Sequence, residues 1–195
     1  MMALDHLAVA ATRLEDGVAY VEDTLGVKMA PGGKHARYGT HNMLLGLGDI
    51  YLEVIAPDPD AAPFEGPRWF GLDQFVGAPR LANWICRVDD LSWAPPVCGP
   101  PMTLQRGDLS WQITVPADGG LPFGGALPTL MRWGAGVPHP TTTLPDSGCR
   151  LRRFRVFHPD AADIAVTPDP RVHVTAGPAG FQAVFDRPDG PVRLS

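Results

Sequence analysis

Cysteine is scarce in this sequence. Cys86, Cys98 and Cys149 are the three present, and no two of them stand in a C-x-x-C spacing. An odd count leaves one thiol over in any pairing, which argues against a disulfide-stapled secreted scaffold or a thiolate zinc knuckle. A reduced, cytoplasmic chain is the simplest expectation, and no motif marks a nucleophilic thiol. Long apolar runs are missing too: none approaches the roughly 18 residues a membrane span needs, and no basic segment followed by a short apolar stretch opens the chain. Neither a membrane-spanning nor an exported protein is expected. Positive charge is also in deficit, with 16 Lys and Arg against 21 Asp and Glu, a net −5. Binding nucleic acid calls for a basic face that displaces counterions from phosphates, so that class is not expected. The one basic cluster, residues 150–155 (RLRRFR), has the alternation of a strand with its arginines on the wetter face; an anion-binding strip is the other reading.

What the chain has in plenty is glycine and proline, 22 of each, so helices must be few and short and turns many. With 45% hydrophobic residues, 195 residues can bury one core, which favours a sheet-based fold forming one compact domain. The clearest pattern lies in the first sixty residues. Residues 4–10 (LDHLAVA) read as an apolar strand. Thr12, with Glu15 three residues on, has the spacing of a capping box. Leu14, Val18, Val21 and Leu25 then recur at helical spacing, and Gly26 stops the helix. A Gly/Pro loop (PGGKHARYG) leads to strands at 40–47 and 50–56, separated by a tight turn at Gly48-Asp49. Strand, helix and antiparallel set make a βαβββ unit over residues 1–60. Residues 61–80 form a linker. A degenerate echo spans 81–135: strand 82–88, a helix at Asp90-Leu91 cut short by Pro95-Pro96, then strands 102–106, 109–115 and 128–133. A partial third unit spans 148–195 (CRLRRFRVF, HPDAADIAV, VHVTA, FQAVF, VRLS), with a hairpin turn at Asp189-Gly190. The predicted class is α+β, with repeated βαβββ modules forming a curved mixed sheet around a concave pocket. A sheet edge left open by the abbreviated third unit would suit a homodimer.

Side chains alternate across a strand, so Leu4, His6 and Ala8 should share one side and Asp5, Leu7 and Val9 the other. The helix needs Leu7 and Val9, which leaves His6 on the concave side. In the fourth strand the same logic gives Leu52 and Val54 to the helix, and Tyr51, Glu53 and Ile55 to the concave side. A carboxylate inside an apolar strand costs several kcal/mol unless something pairs with it. A cation bound by one imidazole and one carboxylate would remove that cost; so would a hydrogen bond between His6 and Glu53 themselves. If burial raises the pKa of Glu53 towards neutrality, it becomes a general base without a metal. His41 and Asn42 open the third strand beside Glu53. A strict two-residue turn pairs Leu44 with Glu53 and gives Asn42 to the cup; a turn longer by one residue gives His41 instead. His6, His41 and Glu53 would then form a two-His-one-carboxylate set for a divalent ion (Zn, Mn, Fe, Ni or Mg).

A His in the first strand and a Glu in the fourth resembles the metal-ligand placement of the vicinal-oxygen-chelate superfamily, which includes glyoxalases, extradiol dioxygenases and fosfomycin- and bleomycin-resistance proteins. More narrowly, LDHLAVAATRLEDGVAYVEDTLGV, GTHNMLLGLGDIYLEVIAPDPD, RWFGLD and GDLSWQITVPADG resemble the glyoxalase-like domain proteins. The resemblance implies two modules that pair into a cup, each giving one first-strand and one fourth-strand ligand to a divalent metal. It also implies a small-molecule enzyme of lyase, isomerase or dioxygenase type, acting on a small carbonyl or hydroxy compound, with His6 and Glu53 as catalytic or metal-binding residues. The second pair departs from that pattern. Asn83, or Trp84 with one residue of slip, falls opposite His6, and Leu130, Met131 or Arg132 falls opposite Glu53. A non-catalytic protein that sequesters a small ligand on the same fold is the rival expectation.

Weaker candidates complete the reading. Arg68 and Trp69, followed by Phe70, would either clamp an anionic ligand or anchor the linker by burying its rings. His35 sits in the Gly/Pro loop, where a solvated residue is expected, and His139 falls into no recognisable arrangement.

Overall fold

A computed structural model describes residues 1–164, 166 and 168–195. Among the described residues, twelve strands form two sheets, accompanied by one α-helix. The larger has eight strands: β1 (Met2–Ala10), β2 (Ala30–His35), β3 (Thr40–Gly46), β4 (Tyr51–Pro57), β5 (Arg80–Val88), β6 (Pro101–Arg106), β7 (Leu109–Thr114) and β8 (Thr129–Trp133), in spatial order β2-β3-β4-β1-β5-β8-β7-β6. Helix α1 (Leu14–Leu25) connects β1 to β2. The sheet curls until its two edge strands, β2 and β6, come together, which makes a nearly closed cup. β9 (Arg150–His158), β10 (Val172–Ala176), β11 (Gly180–Asp186) and β12 (Val192–Leu194) form the second sheet, in order β10-β9-β11-β12. No described helix is long and apolar enough to cross a membrane.

The helix packs on the convex side of the first half-sheet, with Val21 and Leu25 buried against Leu7, Val9, Leu52 and Val54. Gly17 lets it approach closely, because a Cβ there would lie 2.5 Å from Val54 Cγ1 and 2.9 Å from Ala11 Cβ. That contact accounts for a mid-helix glycine, which otherwise costs about 0.5–1 kcal/mol relative to Ala. The capping box does not form. Arg13 occupies the N-cap without a side-chain bond, and Glu15 and Asp16 in the first turn complement the dipole instead. Gly26 ends the helix in the left-handed region (φ 73°), its N–H bonding to Glu22 O.

In the second half no helix follows Asp90; a turn leads to a short 3₁₀ segment at Pro96–Cys98. The C-terminal sheet covers that convex face instead. Trp84, Cys86, Val88 and Leu130 of the large sheet share a core with Phe154, Val156, Ala183 and Phe185 of the small one. The Trp84 and Phe154 rings sit 5.8 Å apart. Between β9 and β10, the segment HPDAADIAV and the residues after it form turns where described; Ala165 and Thr167 lie outside the described residues.

One sequence expectation fails in a way that shapes the site. Much of the segment 31–39, read as a loop, belongs to edge strand β2, which pairs Ala30 with Leu44 and His35 with Thr40. Glycine and proline speak against a central strand, but an edge strand tolerates both.

Candidate active site

The Gly48-Asp49 turn is the two-residue hairpin, closed by Leu47 N–H to Ile50 O at 3.0 Å. Leu44 therefore pairs with Glu53 and Asn42 with Ile55, so Asn42 faces the cup. His41 projects to the other side, 4.0 Å from Asp58. The trio His6, His41 and Glu53 is not brought together.

β1 and β4 run parallel, with Ala8 paired to Glu53 and His6 to Tyr51. His6, Tyr51 and Glu53 share the concave face, and the imidazole stacks on the Tyr51 ring at 4.3 Å. Asp5 departs from simple alternation. The β1–β5 register jumps from Leu4–Cys86 to His6–Ile85, leaving Asp5 unpaired in a bulge. Two consecutive residues then project to the same side, while Leu4 joins Leu7 and Val9 in the convex core. Asp5 Oδ1 accepts from His6 Nδ1 at 2.7 Å. Its Oδ2 accepts from the Trp133 indole N–H and from His139 Nε2, both at 3.0 Å. His139, which falls into no recognisable sequence pattern, thus reaches the site from the 134–148 segment. Its Nδ1 accepts from Thr141 N–H, so Nε2 carries the proton it gives to Asp5.

The charge state follows from these contacts. Burial opposes ionisation of Asp5, but the bonds from His139 and His6 hold its carboxyl far below the usual range. Burial likewise opposes a cationic His6, and Asp5 and Glu53 on either side overcome it, raising the imidazole to about 9. His6 Nε2 lies 3.6 Å from Glu53 Oε2, too long for a hydrogen bond, so its N–H is left for another acceptor. Burial alone would push Glu53 up. His6, with the Asn42 amide donating to Oε1 at 2.5 Å, brings its pKa below the ordinary value. The expected rise towards neutrality does not occur. Near pH 7 the floor of the cup holds a carboxylate, an imidazolium and a second carboxylate.

Around this floor stand Trp69, Phe70, Trp111, Ile113, Met131, Trp133 and Pro140. The free cavity is about 40 Å³, room for about three waters. His35 is buried rather than solvated: its Nδ1 lies 3.2 Å from Thr40 Oγ1 and its Nε2 3.5 Å from Arg106 Nη1. Burial lowers its pKa to about 4, so it is neutral and accepts from the guanidinium. Trp69 anchors its indole N–H on Thr40 Oγ1 at 3.1 Å and contributes a wall. Arg68 turns away, bonding Asp73 at 2.8 Å and lying over the Phe64 ring.

The second half holds the counterpart of this pair. The β1–β5 pairing is symmetric about Leu7–Trp84, which makes Asn83 the equivalent of His6. Two residues on, Ala8 pairs with Glu53 in the first half and Ile85 pairs with Thr129 in the second. Thr129, rather than Leu130, Met131 or Arg132, therefore stands opposite Glu53. Asn83 Nδ2 donates to Thr129 Oγ1 at 2.9 Å, so both groups are committed to each other and buried. A divalent ion needs three or four protein donors. Here it would find His6 Nε2 and Glu53, and apolar side chains opposite. Among the described residues no group of three or more His, Cys, Asp or Glu could hold a metal. The donor set does not fit the four-ligand metal of the superfamily pattern.

No curated protein matches the sequence. Among solved structures, a hypothetical protein from Staphylococcus aureus is similar at 12% identity, covering 92% of this chain and 88% of its own, with a TM-score of 0.61. Methylmalonyl-CoA epimerase from Mycobacterium tuberculosis is similar at 19% identity over 67% of this chain and 86% of its own, with a TM-score of 0.43. The family model described as a glyoxalase-like domain matches residues 4–167, and with its curled sheet built from a βαβββ unit and an echo of it, this chain belongs to that family, within the vicinal-oxygen-chelate superfamily.

Proposed function

We propose that the chain is a small-molecule enzyme of isomerase or lyase type that moves a proton next to a carbonyl group. The observation that carries this reading is the pairing of a buried carboxylate, Glu53, with a buried imidazolium, His6, at 3.6 Å in a walled cavity. Glu53 takes a proton from the carbon beside the carbonyl. The C–H electron pair moves into the carbon–carbon bond, and the carbonyl oxygen receives the proton of His6 Nε2. An enol, a neutral imidazole and a carboxylic acid result; returning the protons to another face or carbon, or expelling a neighbouring leaving group, completes the turnover. Asp5 keeps Nδ1 protonated throughout, which aims Nε2 at the cavity. A general base placed this way contributes about 10²–10⁴-fold.

The test is proton exchange in deuterated buffer, followed by NMR on small carbonyl compounds such as pyruvate. Glu53→Gln should slow exchange by about 10²–10⁴-fold while ligand binding survives, and His6→Gln should slow it comparably. Exchange unaffected by Glu53→Gln would overturn the assignment. Binding with no exchange by the parent protein would favour a sequestering protein, a reading that the neutral Asn83–Thr129 pair also supports.

A further inference from the structure

Arg106 is the cation of the cup's rim. It ends β6 and reaches across the seam to β2 and β3, where its Nη1 lies 3.3 Å from Asn42 Oδ1 and 3.5 Å from His35 Nε2. Both partners are neutral. Two other cations near this end of the sheet have carboxylates of their own: Arg68 pairs with Asp73 and Lys34 with Asp58. Among the described residues Arg106 has none within ion-pair distance, although it lines the cavity.

Its seat is built for it. A Cβ on Gly33 would lie 2.7 Å from Arg106 Cδ and 3.1 Å from both Nε and Nη1. A Cβ on Gly32 would lie 2.0 Å from Asn42 Oδ1. The Gly33 N–H donates to that same oxygen at 2.8 Å. The two glycines of β2 thus leave room for the Asn42 amide and for the arginine stem lying across the strand. Asn42 then joins rim to floor: one end of its amide accepts from Arg106 and Gly33, and the other donates to Glu53. One amide's width separates the unpaired cation from the base.

We infer that Arg106 is the receptor for a carboxylate on the substrate, and that the substrate is a small 2-oxo or 2-hydroxy acid whose carbonyl or carbinol end lies at Glu53 and His6. The inference rests on the proton-transfer reading above and names its substrate class. A guanidinium fits a carboxylate through two parallel hydrogen bonds. The tightness of the cavity selects a ligand of a few non-hydrogen atoms. Arg106 acts here in binding and orientation, while Glu53 and His6 act on the reacting atoms.

Pyruvate and pyruvamide provide the test, because they are nearly isosteric and differ in the charge at one end. Calorimetric titration should show the parent protein binding pyruvate at least tenfold more tightly than pyruvamide. In Arg106→Gln the two affinities should come within about twofold of each other, and Arg106→Lys should recover part of the preference. Gly33→Ala, which leaves the guanidinium in the chain but displaces its seat, should also erode the ratio. A purely structural role in closing the seam would lower thermal stability without moving that ratio. Equal binding of the two probes by the parent, or a preference that survives Arg106→Gln, would overturn the inference. Exchange of the pyruvate methyl protons reports separately. Charge preference without exchange would leave Arg106 as an acid receptor and sink the enzyme reading; exchange without charge preference would do the reverse.

Discussion

In the first half of the large sheet, His6 and Glu53 face each other at 3.6 Å beneath an open cavity. At the corresponding places in the second half, Asn83 and Thr129 are joined at 2.9 Å and lie outside the lining of that cavity. Strand order and pairing are the same, so the backbone does not dictate the chemistry. Burying two ionised groups is expensive unless each is fully partnered, whereas an amide and a hydroxyl satisfy one another at little cost. The first half retains the expensive arrangement and surrounds it with supports: Asp5 from a bulge, His139 and Trp133 behind Asp5, and Asn42 beside Glu53. The second half has the inexpensive one and contributes walls. A cup whose halves have diverged this far has concentrated its reactive groups on one side. Its convex covers differ as well, a helix behind the first half and the C-terminal sheet behind the second.

The largest effect is expected where the second cover meets its half. Phe154 is fully buried against Trp84, and Phe154→Ala should cost about 3–5 kcal/mol in urea denaturation. Hydrogen exchange would sharpen the comparison: amides of β5 and β8 should lose protection well before those of β3 and β4, which rest on the helix. Equal loss across the sheet would mean that the two halves share one cover energetically.

A smaller effect separates the halves by charge. His6 has its folded-state pKa raised from 6.5 to about 9, so its contribution to stability is complete below 6.5 and is lost as pH rises through 9. Glu53 and Asp5 have lowered values, and their contributions, complete above the ordinary carboxylate range, are lost on acidification. Stability should therefore fall by about 2 kcal/mol between pH 6.5 and 8.5. Cys86 and Tyr51, both pushed upward by burial from 9.0 and 10.0, add their losses above that window. Denaturation midpoints for His6→Gln should be flat over the same interval. A decline that persists in this variant would assign it to other groups.

How far the site was legible in the sequence follows from the range of each signal. Alternation in β1 and β4, with a two-residue turn at Gly48-Asp49, carries His6, Tyr51, Glu53 and Asn42 to one face, because period and turn length are local properties. Asp5 was misplaced because a bulge interrupts alternation without any mark in the residues themselves. His35 and the glycines before it looked like a loop on composition; their use as a seat for Asn42 and Arg106 depends on strands that meet only once the sheet curls. Arg106 and His139 lie about 50 and 85 residues beyond Glu53 in the chain, and nothing local to either points at the cup. The second-half equivalents were readable for Asn83 and not for Thr129, since the latter follows from a parallel register set by long-range pairing.

The smallest effect compares the two polar pairs directly. Thr129→Val keeps the shape and removes the hydroxyl, leaving Asn83 Nδ2 without its partner; a buried donor stranded this way costs about 1–3 kcal/mol. Asn42→Ala deletes the bonds to Glu53, Arg106 and Gly33 at a similar cost in stability. If the second half is only a wall, Thr129→Val should leave proton exchange within about twofold of the parent at a temperature where both are folded. Asn42→Ala should slow exchange tenfold or more, because Glu53 loses its orienting amide. Equal stability losses with unequal exchange would show that sealing a polar pair serves the fold while opening one serves the chemistry. Exchange lost in both variants would mean that the Asn83–Thr129 pair holds β5 against β8 closely enough to set the position of Met131 in the opposite wall, and that the quiet half of the cup takes part in shaping the reactive one.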